Sequence, residues 1–217
     1  MKEILNLIYT GDFKDNIGFK WGTLAFLKYG LTRFSTDIDI DLIDKSKEKE
    51  VIEFFDDNLI AFGSVEKILG RDLHRWRLHY ELRSRIIKIE LNKRENPYTQ
   101  YEKITIDQLE ITAQTITSMF SNKLCALWTR RYNRDLYDVN FFLQQWFSID
   151  PQIILQQTWF SLKEWIQYLI KHIPTKFSEN TILHQLWEVL EDHQKGRVKK
   201  ELIEDTIKRL QEYLNHL

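Results

Sequence analysis

The distribution of apolar and polar residues divides this chain into two halves. Up to about residue 105, short segments with a two-residue period alternate with segments of helical period, and beyond it nearly every segment is helical. We therefore predict an α/β (α+β) fold. A small mixed sheet with flanking helices should occupy residues 1–105, and a helical region that ends in a bundle should occupy residues 106–217.

The first half contains recognisable boundaries of helices and strands. Residues 20–30 predict a short loop and a helix that ends at Gly30, because glycine readily adopts the left-handed C-cap conformation. Residues 45–57 predict a charged helix. Residues 73–80 and 85–91 predict the two strands of a hairpin. One face of the second strand should be apolar, and it consists of Ile87, Ile89 and Leu91.

The second half predicts helices that pack through apolar stripes. Residues 109–130 and 134–146 have helical patterns, and two amphipathic helices should follow them. We attach no chemistry to their stripes, which consist of Ile182, Leu186 and Leu190 on one helix and Ile203, Ile207, Leu210 and Leu214 on the last.

An acidic strand is the most informative segment. Within residues 33–41, RFSTDIDID, the strand period places Asp37, Asp39 and Asp41 on one face and apolar residues on the other. Carboxylates that lie so close repel one another unless a cation lies among them. Hard oxygen ligands favour Mg²⁺ or Mn²⁺, the ions of nucleotidyl transfer. The alternative is an exposed edge strand whose acidic face prevents aggregation.

Composition narrows the class of protein. The hydrophobic fraction of 43% is sufficient for a core, and the formal net charge of -1 argues against indiscriminate coating of nucleic acid. The single cysteine, Cys125, allows no internal disulfide and is expected to be a small buried apolar residue. The N-terminal residues are charged and no apolar run reaches membrane-spanning length, so we expect a cytoplasmic protein without membrane contact.

Two further segments of the first half could bind a nucleotide. In residues 20–23, KWGT, a glycine allows close approach to a phosphate and a hydroxyl can donate to it, although Gly-Thr before a helix is usually an N-cap. Glu90 lies on a strand beside Lys88 and would complete a carboxylate cage. Alternatively, Glu90 pairs with Lys88 or with an arginine on a solvated face.

A basic segment of the second half, residues 121–143, combines Lys123 with three arginines and with Asp135 and Asp138 one helical turn apart. The alternative for Lys123 is a solvated helix lysine, and the alternative for Asp135 is an acidic residue favoured by the dipole at a helix start. Residues 71–94 are rich in Arg and Lys with Trp76 and Tyr80 interleaved, a texture typical of nucleic-acid binding, and Arg75 and Arg77 share one strand face of the hairpin. The alternative for the hairpin is a charged surface that is merely solvated.

The order of these motifs resembles a known family. KxGT, RxSxDID, KIE, K-x-x-A and RDLYDV follow one another as in the AbiEii-type nucleotidyltransferases, toxins of bacterial abortive-infection and toxin–antitoxin pairs within the DNA polymerase β superfamily. The resemblance covers residues 18–145. It implies Mg²⁺- or Mn²⁺-dependent transfer from a nucleoside triphosphate, with release of pyrophosphate. It also implies an RNA acceptor such as the tRNA 3′ end, a role in phage defence and a cognate antitoxin.

The resemblance also assigns residues to roles. Lys123 and Asp138 would complete the active site from the helical region, whereas Asp135 has no clear role. The implied metal ligands are Asp37, Asp39 and Glu90. The implied catalytic residues are Asp37, Asp39, Glu90, Lys123 and Asp138, and the implied nucleotide-binding residues are Gly22, Thr23, Arg33, Ser35, Lys88 and Lys123.

Two other functions stay open, and a departure from the family supports one of them. Trp21 stands where the family usually has a second glycine, and its indole could crowd the triphosphate or stack on a base. One alternative is therefore a degenerate nucleotidyltransferase that only binds a partner or nucleotide. The other is an enzyme of the same fold with a small acceptor such as an antibiotic hydroxyl. The oligomeric state, the nucleotide and the acceptor stay open.

Overall fold

The computed structural model describes residues 1–80 and 86–217, which form two compact units. The first unit comprises residues 1–30 and 35–114, and the second comprises residues 31–34 and 115–217. The elements of the first unit are α1 (Lys2–Thr10), β1 (Ile17–Lys20), α2 (Trp21–Tyr29), β2 (Ile38–Leu42), α3 (Glu48–Leu59), β3 (Ser64–Leu69), β4 (Leu73–His79), β5 (Ile86–Asn92), β6 (Tyr101–Ile106) and β7 (Leu109–Gln114). Those of the second are α4 (Ile116–Thr129), α5 (Asn133–Gln144), α6 (Pro151–Thr158), α7 (Leu162–Lys176) and α8 (Asp192–Asn215).

The first unit is built on one mixed sheet with the strand order β3-β4-β5-β2-β1-β7-β6. The pairs β2–β5 and β1–β7 are parallel, and the other neighbours are antiparallel. One face of the central strands is apolar and buried, as the two-residue period predicted, through Ile38, Ile40 and Leu42 on β2 and Ile87, Ile89 and Leu91 on β5. The prediction of a small mixed sheet with flanking helices is thus confirmed.

Several predicted boundaries are confirmed. Helix α2 ends at Gly30, whose φ of 76° is left-handed and whose N–H donates to the carbonyl of Ala25. The predicted charged helix is α3, preceded by a single 3₁₀ turn. Strands β4 and β5 pair in antiparallel register. The predicted hairpin turn, and Arg85 at the start of its second strand, lie outside the described residues.

The prediction of a helix from residue 109 was wrong. Residues 109–114 form strand β7, which pairs with β6, and the helix begins only at Ile116. Asp107 and Gln108 connect the two strands with φ of 48° and 70°, the left-handed pair that suits the twist of a two-residue hairpin. Neighbouring β-branched residues, Ile111 and Thr112, favour a strand over a helix, and this was the overlooked signal.

The last two predicted stripes need correction. Ile182, Leu186 and Leu190 are buried as predicted, but their segment consists of successive turns instead of a regular helix. On α8 the predicted stripe shares only Leu210 with the buried one, which runs through Val198, Leu202, Thr206 and Leu210. Helices α5 and α7 pack against α8, and their positions determine which of two adjacent stripes of α8 is buried.

Two smaller expectations concern Cys125 and the membrane. Cys125 is buried in α4, and burial raises the pKa of its thiol to about 12, as expected for an unreactive apolar residue. Among the residues described, no helix combines the length and the apolar character needed to cross a membrane.

Candidate active site

A row of four charged residues crosses the polar face of the sheet in the first unit. Lys20 on β1 pairs in register with Asp39 on β2, and Asp39 pairs with Glu90 on β5. Glu90 in turn pairs with Arg75 on β4. Residues in register point to the same face of a sheet, and neighbouring strands lie about 4.8 Å apart. The row therefore holds two adjacent carboxylates between two cations.

The two outer cations of this row make different contacts. The Arg75 Nε donates to the Glu90 Oε1 at 2.6 Å, which is the arginine pairing that the sequence left open for Glu90. The ammonium of Lys20 donates to Asp41, one pleat along β2, and not to its register partner Asp39. Lys88 lies two residues before Glu90 and so faces the same side of the sheet.

Asp41, the third carboxylate of the acidic strand, is a buried structural group. It accepts hydrogen bonds from four side chains: Lys20, Asn92 at 2.6 Å, Tyr101 at 2.9 Å and Gln114 at 2.7 Å. These donors lie on β1, β5, β6 and β7, so a single carboxylate ties β2 to four other strands of the sheet. Burial, with Asp41 as the second cause, raises the pKa of both the Tyr9 and the Tyr101 hydroxyl.

Asp41→Asn should destabilise the first unit without removing a reacting group. The amide keeps the shape of the carboxylate, but it cannot accept from four donors and it leaves Lys20 buried without its counter-ion. We expect a loss of about 2 to 3 kcal/mol in the free energy of unfolding, measured by urea denaturation, because hydrogen bonds to charged groups are the stronger class. A variant as stable as the parent would show that Asp41 does not hold the strands together.

The segment before β2 is tied to the start of α2. The hydroxyl of Thr23 donates to the backbone carbonyl of Asp37 and lies 2.9 Å from the Ser35 Oγ. Thr23 is completely buried, and its neighbour Gly22 is buried as well. The hydroxyl that was predicted to meet a phosphate is thus occupied in positioning Asp37, which lies half-buried immediately before β2.

Trp21 begins α2 with a strained backbone. Its φ is 64°, in the left-handed region that glycine adopts without cost and that other residues adopt at about 1 to 2 kcal/mol. The Lys20 ammonium lies 4.9 Å from the centre of the indole ring. The backbone at this position therefore has the conformation of the glycine that the family resemblance leads one to expect, although the residue is a tryptophan.

Trp21→Gly is expected to raise the melting temperature. Removing the left-handed strain should exceed the entropy cost of a glycine and leave a gain of about 1 kcal/mol, or roughly 2 to 4 °C for a chain of this size. Trp21→Ala is the matched variant, because it removes the indole but keeps the Cβ strain. A melting temperature that falls equally in both variants would mean that indole contacts outweigh the strain.

The hairpin arginines are not the exposed basic patch that the sequence suggested. Arg75 is bound to Glu90, and the Arg77 Nη1 lies 3.2 Å from a carboxylate oxygen of Glu66 on β3. Trp76 between them is fully buried, and its indole N–H donates to Asp56 at 2.8 Å. Trp76 therefore cannot stack on a base, and Arg75 and Arg77 are each paired with a carboxylate.

A buried ion cluster brings together the predicted residues of the second unit. Arg33 donates from Nε and Nη2 to the two carboxylate oxygens of Asp138, at 2.6 and 2.7 Å. The Lys123 ammonium lies 2.7 Å from Asp135 and 2.9 Å from Asp138. All four side chains are at most 5% exposed. Arg33 and Lys123, predicted as nucleotide ligands, are thus partners of the RDLYD block.

Electrostatics stabilise the charged form of this cluster. Burial by itself would raise the pKa of Asp138, but Arg33 and then Lys123 reverse this, so that its pKa lies below the usual range. Burial would likewise lower the pKa of Arg33, and Asp138 raises it instead. One oxygen of Asp135, Oδ2, is buried without a hydrogen-bond partner among the residues described.

The residues expected to bind a metal ion do not form a complete set of metal ligands in the part of the chain that the structure describes. Within residues 1–80 and 86–217, no group of three or more histidine, cysteine or acidic side chains is placed to hold a metal ion. The donor chemistry nevertheless suits a hard cation, because Asp39 and Glu90 are carboxylates on adjacent strands and Asp37 lies two residues before Asp39. Asp37 and Asp39 are therefore the fitting ligands, whereas Glu90 is shared with Arg75.

Sequence reasoning missed two contributors to this face, Lys20 and the structural role of Asp41, and it did not identify which arginine pairs with Glu90. Lys20 stands in the KWGT segment but carries no pattern that predicts its burial. A register between distant strands, such as β2 with β5, cannot be read from either segment alone. An amphipathic period identifies a strand's faces, but it does not identify its neighbours.

The chain matches a family model of nucleotidyltransferases, and its mixed sheet is consistent with that fold, so the chain is a nucleotidyltransferase. More particularly, the chain belongs to the family of AbiEii nucleotidyltransferase toxins of type IV toxin–antitoxin systems, whose model matches residues 4–215. This membership confirms the resemblance found in the sequence.

Two solved structures have the same fold. The JHP933 protein of Helicobacter pylori superposes with a TM-score of 0.60 at 17% identity, over 99% of this chain and 94% of the other. A protein of H. pylori described as a candidate nucleotidyltransferase superposes with a TM-score of 0.58 at 18% identity, over 98% and 95% of the two chains. No curated protein matches the sequence.

Proposed function

We propose that this toxin transfers a nucleotide from a nucleoside triphosphate to an RNA acceptor such as the 3′ end of a tRNA. The observation that carries the proposal is the register between Asp39 and Glu90, which places two carboxylates side by side on the polar face of the sheet. Carboxylates on adjacent strands supply the hard oxygen donors that a divalent ion prefers, and nucleotidyl transfer employs such an ion. The family supplies the reaction class.

Asp37 and Asp39 are the residues that we assign to a divalent ion, Mg²⁺ or Mn²⁺. When bound, such an ion neutralises charge on the triphosphate and lowers the pKa of an acceptor hydroxyl. Thr23 fixes the backbone at Asp37, so that this carboxylate is held beside β2 before any ligand arrives. Lys20 and Arg75 lie at the two ends of the row, where their positive charges partly balance the two carboxylates.

Glu90 is assigned the role of proton acceptor. Arg75 binds its Oε1 and orients the carboxylate, and Oε2 would take the proton of the attacking hydroxyl. The acceptor oxygen then forms a bond to the α-phosphorus while the bond to the departing pyrophosphate breaks. Lys88 faces the same side of the sheet and would attract the triphosphate, and Gly22 would permit its close approach.

The second unit is assigned a supporting role in this proposal. Asp138 would keep Arg33 and Lys123 in fixed positions, and the interaction of Lys123 with the triphosphate stays a prediction from the family resemblance. Family membership also supports a cognate antitoxin as a partner, acting directly or indirectly. Growth arrest by tRNA modification, and defence against phage, would follow from the same reaction.

Label transfer tests the proposed function. Purified protein is incubated with total bacterial tRNA, Mg²⁺ and each α-labelled nucleoside triphosphate in turn, with heat-inactivated protein as the blank. Label in tRNA with one of the four nucleotides is the expected result, and it names the nucleotide. If no nucleotide labels tRNA under conditions in which the triphosphate is bound, the RNA acceptor is wrong.

A small acceptor is the second candidate, and the neutralised hairpin is the observation that favours it. An enzyme with a small acceptor has no use for a basic hairpin, and both Arg75 and Arg77 are bound to carboxylates. Labelling of a panel of hydroxylated antibiotics instead of tRNA would identify this function.

A further inference from the structure

An aromatic row runs along α7 in the second unit. Trp165, Tyr168 and His172 follow one another at helical spacing, so they form one stripe of the helix. Trp165 and Tyr168 are stacked with ring centres 5.3 Å apart, and Tyr168 and His172 are 4.3 Å apart. Phe160 stacks on Tyr168 at 5.5 Å, and Trp128 of α4 meets its edge at 4.6 Å.

The aromatic row, defined as Trp128, Phe160, Trp165, Tyr168 and His172, is partly open to solvent. Trp165 is buried and anchors it, whereas Trp128, Tyr168 and His172 are half-buried and Phe160 is exposed. Aromatic side chains that stay partly accessible to solvent can stack on a nucleic-acid base. The row is therefore a platform of rings on the surface of the second unit.

Cations accompany the aromatic row. The Lys176 ammonium continues the stripe of α7, lies over the Trp128 ring and donates to the Trp128 carbonyl at 3.2 Å. Burial, with Arg131 as the second cause, lowers the pKa of Lys176 to about 8, so two cations are held close enough to repel. An anion beside them would relieve this repulsion.

The charge along α7 is mainly positive. It carries Lys163, Lys171 and Lys176 but only one carboxylate, that of Glu164. Glu164 is engaged in the capping box, where Ser161 donates to it from its N–H at 2.9 Å and its hydroxyl at 2.6 Å. Among the residues described, no ion pair neutralises Lys171, Lys176 or Arg131.

Trp159 adds a ring whose exposure the fold does not require. It directly precedes Phe160, it is 88% exposed, and it caps α6 with a left-handed φ of 64°. Glycine is the residue that such a cap favours. A tryptophan here loses backbone energy and gains almost no burial, so its benefit must come from something other than the packing of this unit.

We propose that the aromatic row, with Trp159, Lys176 and Arg131, binds a single-stranded segment of the RNA acceptor. The inference rests on the proposed function for the identity of the RNA. Bases would stack on the rings, and phosphates would pair with Lys176 and Arg131. Stacking platforms beside cations that lack carboxylate partners are the features by which single-stranded nucleic acid is bound.

Charge distinguishes this surface from the hairpin and from a protein-binding face. The arginines of β4 are already bound to Glu66 and Glu90, whereas no described carboxylate occupies the cations beside the aromatic row. An acidic protein could also be attracted here, but it would not require an exposed ring such as that of Trp159, on which a base can stack. Binding of the antitoxin protein is therefore the outcome to be separated by experiment.

Fluorescence anisotropy with a labelled oligoribonucleotide tests the proposal directly. The probe is single-stranded and about eight nucleotides long, within the usual site size, and it is compared with a duplex of the same length. Three variants of the full chain are compared with the parent: Trp159→Gly, the double variant Arg131→Gln with Lys176→Gln, and a charge-matched control, Lys199→Gln with Lys200→Gln on α8. No nucleoside triphosphate is present.

The expected results are specific to each variant. Trp159→Gly should bind the single strand at least about fivefold more weakly, the loss of one base stack, while its melting temperature stays equal or rises because glycine suits the cap. The Arg131, Lys176 variant should lower the slope of log affinity against log salt by about 1.4, at about 0.7 per phosphate contact. The control should bind as the parent does.

Other outcomes would overturn the proposal. Equal binding by all variants, an equal loss in the control, or a preference for the duplex would each remove the aromatic row as the site. Loss of antitoxin binding in Trp159→Gly, with RNA binding intact, would assign the surface to a protein partner. If the single strand binds at this site but no label is transferred to tRNA, the binding site is supported and the proposed function is refuted. If label is transferred but the variants bind RNA as the parent does, the proposed function is supported and the binding site is refuted.

Discussion

Replacing Asp37 and Asp39 together with asparagine is expected to abolish nucleotidyl transfer and leave the fold intact. Asparagine preserves the size and much of the hydrogen bonding of each side chain, but it removes the two charges that we assign to the divalent ion. Loss of the ion removes charge neutralisation at the triphosphate and activation of the hydroxyl together, so we expect a decrease of at least about 10³-fold. Label transfer at saturating tRNA measures it.

The stability of this variant is as informative as its activity. Both aspartates lie on the half-buried polar face, and relief of repulsion between Asp39 and Glu90 offsets part of any loss. The melting temperature should therefore stay within a few degrees of the parent value. The matched control, Asp12→Asn with Asp57→Asn, removes the same number of charges from exposed positions of the first unit and should transfer label normally.

The same variant separates catalysis from binding in the cell. A toxin that acts by nucleotidyl transfer should cease to inhibit growth when Asp37 and Asp39 are neutralised, whereas a degenerate protein that acts by binding should continue to inhibit it. Persistent growth inhibition by a folded double variant would refute the enzymatic account of toxicity. The strain at Trp21 gives this alternative its physical basis, because a bulky residue occupies a glycine conformation in the nucleotide loop.

The second large effect concerns stability: Asp138→Ala should destabilise the protein by about 3 to 5 kcal/mol. The substitution removes the two hydrogen bonds that Arg33 donates to Asp138, and it removes one of the two carboxylates that contact Lys123. Both cations are buried. Urea denaturation, followed by a helical signal, measures the free energy of unfolding. Glu201→Ala is the matched control, because it breaks the exposed Arg197–Glu201 pair of α8 and should cost at most about 0.5 kcal/mol.

The dependence of this effect on pH has a definite sign. The pKa of Asp138 is lower in the folded protein than in the unfolded chain, so its contribution is fully present above the unfolded value of about 4. It is lost as the pH falls through the lower folded pKa. The difference in stability between parent and variant should therefore be constant at neutral pH and shrink below about pH 4. A constant difference at all pH values would show that packing, not charge, is the cause.

The candidate site shows which features a local sequence pattern can predict. The period of residues 37–42 predicted β2 and the identity of its two faces, and motif order predicted the family. The same period treated Asp37, Asp39 and Asp41 as equivalent, but the sheet surrounds Asp41 with donors and makes it structural. Local spacing predicts direction, whereas the neighbours of a side chain depend on strands that are distant in sequence.

The two hairpin arginines and the RDLYD block show that ion pairs between distant residues cannot be predicted from the sequence. The sequence left open whether Arg75 and Arg77 form a basic patch, and the structure pairs them with Glu90 and Glu66 on neighbouring strands. Arg33 and Asp138 are 105 residues apart, and only folding makes them a bidentate pair. Charge counted along a sequence cannot distinguish a free cation from a paired one.

The sequence by itself determined the alternation of apolar and polar faces, the cap at Gly30 and the order of motifs that defines the family, because these depend on residues a few positions apart. Only the tertiary structure decided the register between Asp39 and Glu90, the burial of Asp41 and Trp76, and the ring stacking along α7. Those features arise when separate strands or helices pack, and packing is selected by the free energy of the whole unit, which no single segment contains.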